Sequence, residues 1–206
     1  MRNSQNTLRW ITLLFLAVSL VTFIACDQQD PMSSNSLEQP TTGKTLKFLK
    51  LPKAQNSLNK IVSVSEWITA QAGGQLRLSA EGINPTTNHP AGCFIRLTVA
   101  PNSMSQDAEL GLSLDDEEFF IGNFDMIFSP HGIVFSSPAL LDITVKYADL
   151  TGFNPDDLDI YYDNPDTGQW ELMPRQSITV WPEYGYVKVV GAELPHFSRY
   201  AIGTEN

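Results

Sequence analysis

Apolar residues are distributed along this chain in three different ways. Residues 10–23 form one apolar run without a charge. Residues 27–57 are dominated by Gln, Ser, Asn, Thr, Pro and Lys, and only Leu46-Lys-Phe-Leu-Lys-Leu51 breaks that polarity. From about residue 58 onward, short segments alternate apolar with polar positions, the period-two signature of strands that bury one face. Ile61-Val-Ser-Val-Ser-Glu-Trp-Ile-Thr69 is β-branched and roughly alternating, while Gln75-Leu-Arg-Leu-Ser79 and Asp142-Ile-Thr-Val-Lys146 alternate cleanly. Further strands are predicted at 93–99, 108–114, 119–128, 132–136, 158–162, 169–173, 177–181, 186–190 and 197–202. Gly, Pro, Asn and Asp separate them at turn-like intervals. A short helical turn is expected only within 147–157.

The segment Asp163-Asn-Pro-Asp-Thr-Gly168 predicts a hairpin with a mechanism. Pro165 presets its own φ, and Gly168 can take the positive φ that closes such a turn. Many short strands with almost no helical periodicity imply an all-β fold, an antiparallel β-sandwich. The short apolar segment at 46–51 is expected to add a strand or pack on the edge of that domain.

The N-terminal run changes the picture from fold to address. Arg2 and Arg9 precede it, and it closes on Phe23-Ile24-Ala25-Cys26. At about 14 residues it is too short for the roughly 20 that span a bilayer, but it suits a signal-peptide core. The small Ala25 before Cys26 resembles a lipobox, in which that cysteine is diacylated and becomes the mature N-terminus. The predicted organisation is therefore a lipoprotein signal peptide over 1–25, a lipidated Cys26 and tether over 26–57, and the sandwich over 58–206. Acyl chains such as palmitate on one residue anchor a protein to a membrane without spanning it. The expected setting is the bacterial cell envelope, facing the periplasm or the cell surface.

Charge narrows the partners. The chain carries 13 Lys and Arg against 23 Asp and Glu, a formal charge of −10. Losing Arg2 and Arg9 with the signal leaves −12, and an acidic surface of that kind argues against nucleic acid. With Cys26 lipidated, Cys93 stands alone; within Cys93-Phe-Ile-Arg-Leu-Thr-Val it is expected to be a buried, inert thiol.

Candidate chemistry is sparse. His89, His131 and His196 have no metal-ligand spacing, and no Gly-x-Ser-x-Gly occurs, so no cofactor and no metal site is expected. Acidic clusters at Asp115-Asp-Glu-Glu118 and at Asp156, Asp157 and Asp159 could offer calcium its hard oxygen ligands, but they lack EF-hand spacing and read as solvated loops. No two carboxylates are marked as a facing glycosidase pair. Trp170, Trp181, Tyr161, Tyr162, Tyr184 and Tyr186 crowd the C-terminal third. They are candidates for a carbohydrate or peptide platform, or for core filling.

Several stretches, in order, resemble a ZU-five domain, the β-sandwich of zonula-occludens protein, netrin receptors, ankyrins and a death-domain adaptor. They are Gly73-Gly74-Gln-Leu76; Ile95-Arg-Leu-Thr-Val-Ala-Pro101; Phe128-Ser-Pro-His-Gly-Ile-Val-Phe135 with Pro138 and Leu141-Asp-Ile-Thr-Val145; and His196-Phe-Ser-Arg-Tyr-Ala-Ile202. Together they cover about residues 60–203. At Pro101-Asn-Ser-Met104 the chain departs from the Gly-Ala pair usual after that proline. The resemblance implies a domain that makes protein contacts. It also implies a specific chemistry, because in some relatives His-Phe-Ser cleaves itself before serine. Here Ser198 Oγ would attack the Phe197 carbonyl, with His196 as base from the same face of a strand, and water would open the resulting ester.

Three functions are thus in view. The first is a lipid-anchored, non-catalytic interaction module whose partner is an envelope protein or surface ligand. The second is single-turnover self-cleavage at Phe197–Ser198 through His196, Phe197 and Ser198. The third is a carbohydrate-binding or calcium-dependent surface binder.

Overall fold

The structure is a computed structural model that describes residues 45–50, 62–83, 88–114 and 124–205. The signal sequence, Cys26, the polar stretch up to residue 44 and the acidic run 115–118 lie outside the described residues.

Two antiparallel sheets pack face to face, as the alternating pattern predicts. One sheet runs β2 (Val62–Ile68), β5 (Ala108–Leu114), β6 (Asp125–Ser129), β12 (Arg199–Glu205), β8 (Asp159–Asn164) and β9 (Gln169–Leu172), and β1 (Leu46–Phe48) joins it on β12. The other runs β10 (Ser177–Trp181), β11 (Tyr186–His196), β7 (Val134–Lys146), β4 (Pro90–Val99) and β3 (Gly74–Ile83). Alternation explains the burial strand by strand. Cys93, Ile95, Leu97 and Val99 of β4 point inward beside Leu141, Ile143 and Val145 of β7, while Phe94, Arg96 and Thr98 look outward. From the facing sheet, Leu110, Leu112 and Leu114 of β5 and Met126 and Phe128 of β6 complete the core. Apolar surface removed from water in this way drives the two layers together at about 25 cal/mol per Å².

Four departures from the predicted segments have physical causes. The segments 132–136 and 142–146 are one strand, β7, because Pro138 lies beyond the stretch paired with β4 and beside a register shift against β11. There its missing N–H costs no ladder bond. Strand β11 does not stop at residue 190, because Gly191 is a bulge rather than a turn. Its φ is 62°, Val189 and Ala192 both point inward around it, and its N–H donates to Asp142 Oδ1 at 2.9 Å.

The sandwich also begins before residue 58. Leu46–Phe48 pairs with β12, the fully buried Leu49 donates its N–H to the Ile202 carbonyl at 2.8 Å, and its own carbonyl accepts from Phe124 N–H. Residues 46–49, inside the stretch expected to be tether, therefore belong to the sandwich. Finally, the segment 197–202 is not one strand, since β12 starts at Arg199.

The hairpin between β8 and β9 forms as expected. Gly168 has φ 64° and donates to the Asn164 carbonyl at 2.8 Å, and Asn164 Oδ1 accepts from Asp166 N–H at 2.9 Å. A 3₁₀ turn at Pro155–Asp157 falls within 147–157. A second one at Pro182–Tyr184 has no precursor in the pattern. Among the described residues, no helix is long and apolar enough to cross a membrane.

Candidate functional site

His196, Phe197 and Ser198 sit where the chain leaves one sheet for the other. His196 ends β11 in the five-stranded sheet, Arg199 opens β12 in the facing sheet, and Phe197 and Ser198 bridge the gap. The same-face relation expected of a single strand therefore does not hold. Phe197 is 2% exposed and its ring meets Phe128 and Phe135, each at 5.2 Å between centroids. Its N–H donates to the Ile133 carbonyl at 2.8 Å, and its carbonyl accepts from Gly132 N–H at 3.4 Å.

Ser198 Oγ donates its one proton to the Asp163 carbonyl at 3.0 Å. That bond turns the hydroxyl towards β8 and not towards an imidazole base. The His196 ring instead lies edge-on to Tyr162 at 5.4 Å. Four residues on, the fully buried Tyr200 donates its phenol to the His196 carbonyl at 2.5 Å. The corner is thus closed by its own chain, in the manner of the tyrosine corners that lock sheet-to-sheet connections in other sandwiches. Burial, reinforced by Tyr162, pushes the Tyr200 phenol well above its ordinary pKa, so it stays a donor.

Beside the corner, Tyr162 OH donates to Glu171 Oε2 at 2.8 Å and Asn164 Nδ2 donates to Oε1 at 2.6 Å. Desolvation first, and then the Glu171 bond, push the Tyr162 phenol up to about 12. Those same donors hold Glu171 below the usual carboxylate range. On the outer face of the same sheet, Arg199 Nε donates to the buried Asp125 at 2.9 Å, and the Arg199 guanidinium lies 5.6 Å over the Trp170 ring. Trp170 in turn meets Phe48 edge-on at 5.1 Å.

The remaining sequence candidates are dispersed. His89 stacks on Tyr147, while His131 is exposed in the turn before β7. Asp157 accepts from Asn154 Nδ2 at 2.8 Å, and Asp159 pairs with Arg175 at 2.5 Å, so neither points into a shared site with Asp156. Among the described residues, no three His, Cys, Asp or Glu side chains converge as a metal site. Cys93 is buried, and burial pushes its thiol up to about 12.

The six C-terminal aromatics divide between the two sheets. Tyr161 is buried, Tyr162 and Trp170 belong to the clusters just described, and only Trp181, Tyr184 and Tyr186 gather on the five-stranded side. Trp181 and Tyr186 stack at 4.6 Å with 22° between their planes. Next to them opens a hollow of about 310 Å³, lined among others by Ser79, Glu81, Gly92, Phe94, Thr144 and Lys146. Sequence reasoning missed this hollow because it is built across strands that are distant in the chain. One local signal was present, namely Gly92 and Phe94, a gap and an outward ring in an otherwise well-filled strand. Comparison of the chain with protein-family models, with curated proteins and with solved structures finds no match.

Proposed function

We propose that this protein is a bacterial lipoprotein, anchored through acyl chains on Cys26, that presents a non-catalytic β-sandwich as an interaction module in the cell envelope. The sequence features that support the anchor are the two arginines, the apolar run and the Ala25–Cys26 junction. The order of the Gly-Gly, Pro-x-Gly and His-Phe-Ser stretches supports a ZU-five-like domain. The observation that carries the non-catalytic reading is the bond from Ser198 Oγ to the Asp163 carbonyl. It commits the hydroxyl that the self-cleavage motif would use to holding β8 against the sheet crossing, while His196 engages a tyrosine ring. A base must lie within hydrogen-bond reach of the proton it removes.

Two measurements test the two halves of this reading. Full-length protein expressed in a bacterial host with an alkyne-bearing fatty acid is expected to label and to fractionate with membranes, and Cys26→Ala is expected to abolish both. Persistent labelling in Cys26→Ala would reject the anchor. For the domain, intact mass of residues 27–206 and of its Ser198→Ala variant is expected to give one full-length species each. Loss of residues 198–206 from the wild type alone would establish self-cleavage and overturn the non-catalytic reading.

A further inference from the structure

Resting on the reading of this domain as a binding module, we propose that the outer face of its five-stranded sheet binds an acidic polysaccharide, a chain of sugar rings bearing carboxylates.

The site follows from register. Trp181 pairs with Tyr186, and Gly92 pairs with Lys146 on one side and Glu81 on the other. Tyr186 and Lys146 each lie one residue beyond the paired Val187 and Val145. One row therefore crosses all five strands in the order Trp181, Tyr186, Lys146, Gly92, Glu81. The next row reads Thr179, Lys188, Thr144, Phe94, Ser79. At about 4.8 Å per strand the rows extend roughly 19 Å, room for several sugar rings rather than one. Gly92 opens the hollow within the first row. A Cβ there would sit 2.2 Å from the Ala80 carbonyl oxygen, so the close approach of β3 enforces the gap.

Three properties of this face select the ligand. The rings of Trp181 and Phe94 are 50% and 43% exposed, large apolar surfaces of the kind on which the C–H faces of sugars stack. The charge is opposite to that of the rest of the molecule. In a chain of formal charge −10, this face sets Arg77, Arg96, Lys146 and Lys188 against Glu81, Asp142 and Glu193. Of the four cations only Arg96 is paired, with Asp142; among the described residues, Arg77, Lys146 and Lys188 have no carboxylate within ion-pair distance. Unpaired ammonium groups beside exposed rings suit a ligand that is flat, hydroxylated and anionic. Lys146 takes the sugar carboxylate, while Glu81, Ser79 and Thr144 take hydroxyls across the hollow.

A peptide is a poorer match. Sheets capture peptides along a free edge, through unpaired backbone groups. Here the hollow is centred on Lys146, Gly92 and Phe94 of β7 and β4, interior strands paired on both sides, and only β10 and β3 at the ends of the rows present an edge.

Isothermal titration of the acylated full-length protein in detergent tests the proposal, with a galacturonate hexamer as probe. A glucose hexamer and hexaglutamate serve as comparators. The galacturonate hexamer is expected to bind, more weakly as salt rises, and neither comparator to match it. Lys146→Ala and Trp181→Ala, both solvent-facing, are each expected to weaken binding at least about tenfold, or about 1.4 kcal/mol. Lys146→Arg should retain most of the affinity, and Leu172→Ser on the opposite sheet should leave it unchanged. Four results would each overturn the proposal: no binding of the galacturonate hexamer, equal affinity in the Lys146→Ala and Trp181→Ala variants, equal affinity for hexaglutamate, or equal affinity for the glucose hexamer. None of these touches the acyl anchor, whose failure would instead appear as lost labelling at Cys26.

Discussion

Replacing Tyr200 by phenylalanine deletes one oxygen atom from the interior and leaves the ring that packs against Phe128 in place. The oxygen matters because of where it points. Its proton goes to the His196 carbonyl at the residue where β11 ends and the chain turns into the facing sheet. Without it, that carbonyl loses its phenol donor in a buried setting, a loss of about 1–3 kcal/mol. In a domain of this size each kcal/mol lowers the melting temperature by about 2–4 °C, so Tyr200→Phe should melt about 2–12 °C lower. The assay is thermal and urea unfolding of residues 27–206. Two neighbours calibrate it. Phe197→Ala empties a core position and should cost more, about 3–5 kcal/mol. Ser198→Ala removes one partly buried bond and should cost about 1 kcal/mol. An unchanged melting temperature in Tyr200→Phe, or a greater loss in Ser198→Ala than in Phe197→Ala, would refute the description of this corner as a packing device.

Further outcomes follow from other contacts. Arg199→Met strips the nearly inaccessible Asp125 of its cation and should cost about 3 kcal/mol by urea unfolding, whereas Arg199→Met with Asp125→Asn should recover much of the loss. Gly92→Ala forces a methyl against the Ala80 carbonyl and should destabilise by about 1–3 kcal/mol in the same assay. Because burial holds the Cys93 thiol near 12, residues 27–206 should resist an aromatic disulfide reagent at pH 8 until unfolded by urea; rapid labelling of the native protein would contradict that burial. The Tyr162 phenol, raised from 10 to about 12, favours the folded state fully below pH 10, and this contribution is lost as pH climbs through 12. Tyr162→Phe should therefore flatten the alkaline limb of the stability profile.

The strands were legible where one face of the chain meets a core and the other meets water. Segments 108–114 and 177–181 coincide with β5 and β10 because their alternation is unbroken and turn residues flank them. Legibility failed where a punctuating residue has two possible meanings. Gly191 reads as a stop, yet Asp142 captures its N–H and the strand continues past it. Pro138 reads as a boundary, yet the strand tolerates it because no partner requires its missing proton there. The hollow was illegible for a different reason. Lys146, Gly92 and Glu81 become neighbours only through the pairing of β7 with β4 and of β4 with β3, and strand order is not written in any local window.

The same distinction governs the one motif that pointed to catalysis. A spacing of two residues places side chains on a common face only while the backbone stays in one extended strand. At 196–198 the backbone is changing sheets, and each residue answers to a different layer. His196 still belongs to β11 but leans on Tyr162, Phe197 fills the gap between the sheets, and Ser198 is already bonded to β8. A two-residue crossing leaves little slack, which is why the tripeptide is fixed by so many partners. The backbone donors from Gly132 and Phe128, the acceptor at Ile133 and the Tyr200 phenol all converge on it. Residue identity at such a corner is therefore set by packing: a large apolar ring between two residues that can each bond to a separate sheet. These contacts account for the ring at Phe197 and the hydroxyl at Ser198, whereas the bond at His196 uses its backbone carbonyl and asks nothing of the imidazole.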